Sequence, residues 1–288
     1  MEAPEHVSIA ETTKPLPSVG ERVGCQSVEI DVERWRHGTL TRERDLVAEE
    51  IPVALVYHGV PHVVMLATPA DLEDYAVGFT LSEGLVARAD EIRGVEVVRG
   101  DDTAEVRITV AWERFSALID RRRNLTGRSG CGLCGQETVE QAVHVVKPVG
   151  PGARLSTTEL HDAITQLAGL QPINARTGSV HAAAWVVPGK GIQVVREDVG
   201  RHNALDKTIG ALVRSGVDPA GGAILLTSRA SFELVQKSAA VGVAFVAAFS
   251  APTAFAVRLA ERAGLTLVAF AREDRHVVYA HPWRLESG

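Results

Sequence analysis

Beyond about residue 150 the apolar residues keep a repeating beat: a short apolar run, a stretch with helical spacing, another short run. Runs at 182–187, 192–196, 222–227, 243–249, 265–270 and 276–280 are interleaved with amphipathic segments at 231–240 and 253–263. A further helical stripe carries Leu205, Ile209, Leu212 and Val213. Short apolar runs bounded by turn residues read as strands, and apolar residues three and four apart read as one face of a helix. Strand–helix–strand units with short connections predict a mostly parallel sheet covered by helices. Ahead of them, Ser156 and Glu159 have capping-box spacing and open a helix with Leu160, Ile164, Leu167 and Ala168 on one face.

The first third has a different grammar. Apolar runs 51–57 and 60–67 meet at His58-Gly59, which predicts a hairpin. Thr68 then reads as a helix N-cap, with Pro69 at the first helical position and Asp71 three residues on. Leu72, Ala76 and Phe79 share a face, Gly84 ends the helix, and 95–98 and 104–111 read as further strands. A chain of 288 residues has length for two domains. The expected division is a disordered tail 1–24, a small α+β domain 25–118, a mobile segment 119–138 and an α/β domain 139–288. The fold class is α/β.

Thirty basic against 36 acidic residues give a net charge of −6, and aromatics are only 5%, which argues against a nucleic-acid-binding surface. No apolar stretch approaches the ~20 residues of a membrane span, and the N-terminus lacks the pattern of a secretory signal. A cytoplasmic protein is expected.

Residues 120–136 stand apart. Arg121, Arg122, Arg123 and Arg128 are mixed with Gly127, Gly130, Gly132 and Gly135, and within them lies Cys131-Gly-Leu-Cys134. So much glycine without apolar period predicts a mobile connecting loop. Three chemistries suit a Cys-x-x-Cys pair. Zinc needs two further ligands, and neither Cys25 nor the scattered histidines offer the usual spacing. A thioredoxin-like dithiol needs a strand leading into a helix, which is absent here. Sulfur carriage needs an accessible thiolate, which nearby arginines favour, and a hinge that lets one sulfur visit two partners.

Three other segments carry candidate groups. Thr177-Gly-Ser-Val-His181 opens a strand with small residues. Arg196 to Lys207 links a strand end to a helix and is dense in ionisable groups; it reads equally as a ligand loop or as a salt-bridge network around Asp198, Arg201 and Asp206. Thr227-Ser-Arg-Ala-Ser231 places hydroxyls and Arg229 before a helix N-terminus, where an anion can sit, and Lys237 two turns later reads as surface charge. Ser250-Ala-Pro-Thr253 starts a helix in the same way, its hydroxyls serving as caps. No Walker or Rossmann glycine motif occurs, and the zinc-deaminase signature fails because no histidine is followed by x-Glu.

Taken together, Gly127 to Gly135, Thr177 to Ala183, Glu197 to Lys207, Ser228 to Lys237, Ser250 to Thr253 and Gly264 to Phe270 resemble the FdhD family of formate dehydrogenase accessory sulfurtransferases. Asp71 to Gly84 extends the likeness into the first part, and the whole covers roughly residues 30–285. The resemblance implies a cytidine-deaminase-like three-layer α/β/α second domain without zinc, and a homodimer. It implies sulfur taken from a cysteine desulfurase and delivered to the molybdenum cofactor, Mo-bis(molybdopterin guanine dinucleotide), before insertion into formate dehydrogenase. Carried onto this chain, Cys131 becomes the persulfide carrier and Cys134 its helper. The cofactor-contacting segment becomes Phe270, Ala271, Arg272, Glu273, Asp274 and Arg275. A cofactor-binding chaperone with accessory cysteines is the alternative; neither reading needs a nucleic acid, a membrane or a resident metal.

Overall fold

The computed structural model describes residues 26–123 and 147–287. The expected tail, Cys25 and the segment 124–138 with Cys131 and Cys134 lie outside the described residues.

Strands β1 (Ser27–Arg36) and β2 (Thr39–Ala48) form an antiparallel arm, laced by ion pairs such as Arg42–Glu33 and Arg44–Glu29 and carrying the exposed Trp35 near its tip. Next, β3 (Ile51–Tyr57) and β4 (Val60–Ala67) make the expected hairpin. His58 and Gly59 turn it with φ of 48° and 81°, both left-handed, as a two-residue turn matched to strand twist requires. With β5 (Ile92–Arg99) and β6 (Ala104–Val110) they complete a sheet of order β4-β3-β6-β5. Helices α1 (Leu72–Ser82) and α2 (Trp112–Arg123) cover one face of it, packing Leu72, Tyr75, Phe115 and Leu118 onto Val53, Leu55, Val106 and Ile108.

Two local expectations fail here, each for a visible reason. Helix α1 starts at Leu72, not at Pro69, and Thr68 does not cap it. The Thr68 N–H instead donates to Asp198 Oδ2 (3.1 Å), its hydroxyl accepts from the Val199 N–H, and its carbonyl accepts from Lys207 Nζ (2.9 Å). Helix α2 runs on to Arg123, so the start of the arginine-rich segment is helical rather than loop.

The second unit is built on six strands in the order β13-β12-β11-β10-β8-β9. These are β8 (His181–Val187), β9 (Gly191–Asp198), β10 (Ala223–Leu226), β11 (Phe245–Ala248), β12 (Thr266–Ala269) and β13 (Val277–Ala280). Only β10–β11 and β11–β12 pair in parallel; β8–β9, β10–β8 and β12–β13 are antiparallel. The expected mostly parallel sheet is therefore mixed. The connection from β8 to β9 is a short turn, and a turn that short can only return the chain antiparallel.

Period-two alternation splits the buried residues between the two faces. Ile224, Leu226, Val246 and Leu267 pack under α5 (Arg201–Arg214), α6 (Phe232–Ala240) and α7 (Ala254–Ala263). Ala223, Leu225, Phe245 and Val268 pack under α3 (Thr157–Ala168), giving three layers. A short α4 (Pro172–Thr177) precedes β8, and β7 (Leu155–Ser156) pairs with β14 (Leu285–Glu286). Buried positions on α3 are Leu160, Ala163, Ile164 and Leu167; Ala168 is exposed, because the stripe turns toward Ala163.

The capping box forms as its spacing predicts: Ser156 Oγ accepts from the Glu159 N–H, and the Glu159 carboxylate accepts from the Ser156 N–H (2.7 Å). The backbone N–H groups of Ser156 and Gly189 hold the Glu159 carboxyl below its ordinary value of 4.5. A carboxylate depressed in the folded state stabilises it above the unfolded value and loses that contribution as pH falls through the folded value. Ser156→Ala is expected to cost about 1 kcal/mol. Between about pH 6 and about pH 3, urea midpoints should fall more steeply in the wild type than in Glu159→Gln; parallel slopes would contradict this role.

Helix α1 is buried on both sides because α5 crosses it backbone to backbone. A Cβ on Gly78 would stand 1.7 Å from the Asp206 carbonyl oxygen, and one on Gly210 1.8 Å from that of Asp74. Charges line the crossing. Asp74 accepts from Arg196 (2.8 Å) and Arg214 (2.5 Å). Lys237 donates to Asp206 (2.9 Å) and Ser82 (3.0 Å) and also meets Glu83 (2.6 Å). The two units are thus joined by a glycine-notched helix pair with paired charges.

Candidate functional site

The ends of β9, β10, β11 and β12 and the start of β8 come to one edge of the six-stranded sheet. His181 is registered opposite Asp198, while the Thr227 hydroxyl accepts from the Ala182 N–H (2.9 Å). Loop ends gathered at the carboxyl edge of an α/β sheet are where ligands bind.

At the β12 end, Phe270 adopts a left-handed conformation (φ 49°) and is 43% exposed. An aromatic residue in that conformation is strained and is commonly held so at a functional position. The Phe270 N–H donates to the Ser250 carbonyl and the Ala271 N–H to that of Ala248, fixing the turn against β11. Ala271 is fully buried, and a tight turn closes with the Arg272 N–H donating to the Arg275 carbonyl (2.8 Å). Arg272 folds back: its guanidinium donates to the Phe249 and Ala271 carbonyls and lies 5.5 Å from the Phe249 ring. Glu273, Asp274 and Arg275 are exposed at the tip. The loop thus exposes the Phe270 side chain together with Arg272, Glu273, Asp274 and Arg275.

The Arg196–Lys207 segment divides between structure and surface. Asp198 and Lys207 are fully buried and 2.6 Å apart. Asp198 also accepts from the Gly200 N–H and Asn203 Nδ2, so the pair locks the β9–α5 turn. Arg201 is not part of that network. It begins α5 together with His202, whose Nε2 lies 2.5 Å from Glu233 Oε2 on α6. His202 holds the Glu233 carboxyl below its usual range. His181 is half-buried, and burial, then the charges of Arg201 and His202, lower its imidazole below the ordinary histidine value. Arg229 is exposed, and Thr253 caps α7 through the Ala256 N–H (3.2 Å), as its position predicts.

Lys237, which reads as surface charge, is instead 6% exposed. Burial works to lower its ammonium, but Asp206 and Glu83 outweigh that and hold it above the ordinary lysine value. A signal existed: Lys237 lies on the apolar stripe of α6 beside Leu234 and Ser238, all buried.

Two interlocked units, the second a three-layer α/β sandwich with its loop ends gathered at one sheet edge, define the architectural class. Residues 48–286 match the FdhD/NarQ family, and the chain belongs to it. A Cupriavidus necator protein named sulfur carrier protein FdhD is 54% identical over 255 residues, 88% of each chain. A protein of the same name from Xanthomonas euvesicatoria is 50% identical over 262 residues, 91% of this chain and 93% of that one. The crystal structure of a Desulfotalea psychrophila protein described as a formate dehydrogenase accessory protein matches with a TM-score of 0.71 at 24% identity. It covers 90% of this chain and 99% of that one, a likeness of fold. Among the described residues no helix is long and apolar enough to cross a membrane.

Proposed function

We propose that this chain is a sulfur carrier serving formate dehydrogenase, and that Cys131 accepts sulfane sulfur from a cysteine desulfurase as a persulfide. The observation that carries the reading is the Cys131-Gly-Leu-Cys134 pair in a chain 54% identical to a named sulfur carrier. In chemical balance, the Cys131 thiolate attacks the terminal sulfur of the desulfurase persulfide. A new S–S bond forms on Cys131, and the desulfurase leaves as its thiolate. Cys134 assists as a nearby thiol, and a cytoplasmic homodimer completes the reading.

The recipient in this proposal is Mo-bis(molybdopterin guanine dinucleotide), carried as cargo and contacted by Phe270 to Arg275. The exposed Phe270 ring, strained into place at the sheet edge, suits a guanine face, and exposed Arg275 supplies a cation beside it. Arg272 acts one step back, clamping the Phe249 carbonyl so that the turn keeps its shape.

Intact mass after incubation with a desulfurase and cysteine tests the sulfur step. Wild type and Cys134→Ala are expected to gain sulfur that dithiothreitol removes, and Cys131→Ala none. No gain on the wild type would favour a cofactor-binding chaperone, and a gain that follows Cys134 alone would reverse the two roles.

A further inference from the structure

The loop joining β12 to β13 is held at its two ends in different ways. The last register pair is Ala269 with Val277, so the loop runs from Phe270 to His276. At its start, Phe270 and Ala271 donate to the Ser250 and Ala248 carbonyls, and Arg272 is tied to that of Phe249. At its far end, Glu273, Asp274 and Arg275 are exposed, and His276 makes the contact that leads out of the loop. Its Nδ1 lies 3.0 Å from Nε2 of His161 on α3, the rings edge to face with centroids 5.2 Å apart. Both residues are partly buried. Among the described residues no third histidine, cysteine or carboxylate joins them as a metal site requires, so one imidazole hydrogen-bonds the other. Helix α3 is fixed to the sheet through Leu160, Ala163 and Ile164, which makes His161 the stationary half.

Such a bond tolerates one added proton but not two. With both rings neutral, the N–H of one donates to the lone pair of the other. With one ring charged, the bond is charge-assisted and stronger. With both charged, two N–H groups face each other and like charges repel. Burial, then the charge of His161, holds His276 below the ordinary histidine value of 6.5. The pair is therefore intact above about pH 6.5 and is lost as pH falls below that through the folded value. Other charges nearby are engaged or solvated. Glu159 accepts from the Ser156 and Gly189 N–H groups, Glu286 meets Arg154, and Asp162 is exposed, as are Glu273, Asp274 and Arg275.

We propose that His161 and His276 clasp the far end of the Phe270–His276 loop to α3, and that the clasp opens when both rings are charged. His161 is then a positioning residue, acting on the loop through His276. A strained Phe270 persists because its surroundings fix it, and the clasp closes the side of the loop that β11 does not hold. What the loop carries rests on the cofactor reading above; its opening does not.

The test is hydrogen exchange of the full chain, read at the hydrogen-bonded amides of Phe270, Ala271 and Arg272 and corrected for intrinsic pH dependence. Between about pH 7.5 and about pH 5, their protection in wild type is expected to fall about fivefold, while amides inside β11 keep theirs. Glutamine can donate to a neutral imidazole or accept from a charged one. Protection in His161→Gln and in His276→Gln should therefore vary by less than about twofold over the same range. His161→Ala removes the partner and should leave protection low at both ends of the range. A wild-type change below twofold, or an equal fall in His161→Gln, would overturn the clasp, as would full protection in His161→Ala at neutral pH. Exchange is read without any ligand, so failure of the cofactor reading would leave the result standing.

Discussion

Adding a single methyl group at Gly78 is expected to destabilise the protein by roughly 3 kcal/mol, the upper end for overpacking a well-filled interior. Alanine favours a helix over glycine by about 1 kcal/mol, so propensity alone predicts the opposite sign. The geometry decides: a Cβ at 1.7 Å from the Asp206 carbonyl oxygen cannot be accommodated unless α1 and α5 move apart. Separation strips contacts along the whole crossing and lengthens the bonds to Asp74 and Asp206. For a chain of this size the melting temperature should fall by about 6–12 °C. Gly210→Ala meets the Asp74 carbonyl in the same way and should cost a similar amount. The double variant should cost much less than the sum, since helices already parted accept the second methyl easily. Scanning calorimetry on the four proteins checks this; additive losses below 1 kcal/mol each would mean that the crossing is loose.

Lys237→Met is expected to destabilise by about 3–5 kcal/mol, because it leaves the buried Asp206 carboxylate without its cation. Removing both charges, as Asp206→Leu with Lys237→Met, should recover most of that loss, since a buried pair contributes little beyond a well-packed apolar replacement. Urea denaturation of the two single variants and the double variant yields the coupling directly. Should Lys237→Met unfold at the wild-type midpoint, Asp206 is satisfied by Ser82 alone and the pair has no structural weight.

What was legible in the sequence was local. The Ser156–Glu159 capping box, the His58-Gly59 turn and the strands between 181 and 280 depend on residues a few positions apart, and they fall within one or two positions of expectation. Thr68 defeats local reading because Thr-Pro-x-Asp spells a helix start. Its polar groups are instead taken by Asp198 and Lys207, the latter 139 residues away. Lys237 misleads for the same reason, as its partners Ser82 and Asp206 lie on two other helices. Sheet direction was misjudged because helical stripes between strands signal crossovers, while the β8–β9 return was left out of the count. In the candidate site, Phe270 keeps its prominence, but Arg272 turns inward to backbone carbonyls, which no spacing announces.

The division of the buried charges between the two units has a consequence for how the chain is made. Ser82 finds its acceptor on Asp206, 124 residues later, and Lys237 arrives 155 residues after Ser82. At about 10 residues per second of synthesis, the first unit leaves the ribosome roughly 12 seconds before its charges can be matched. During that interval α1 presents a glycine-notched face, with Asp74 beside it, to whatever the nascent chain encounters. The N-terminal half is thus complete on one side of α1 and unfinished on the other until the second unit has been made.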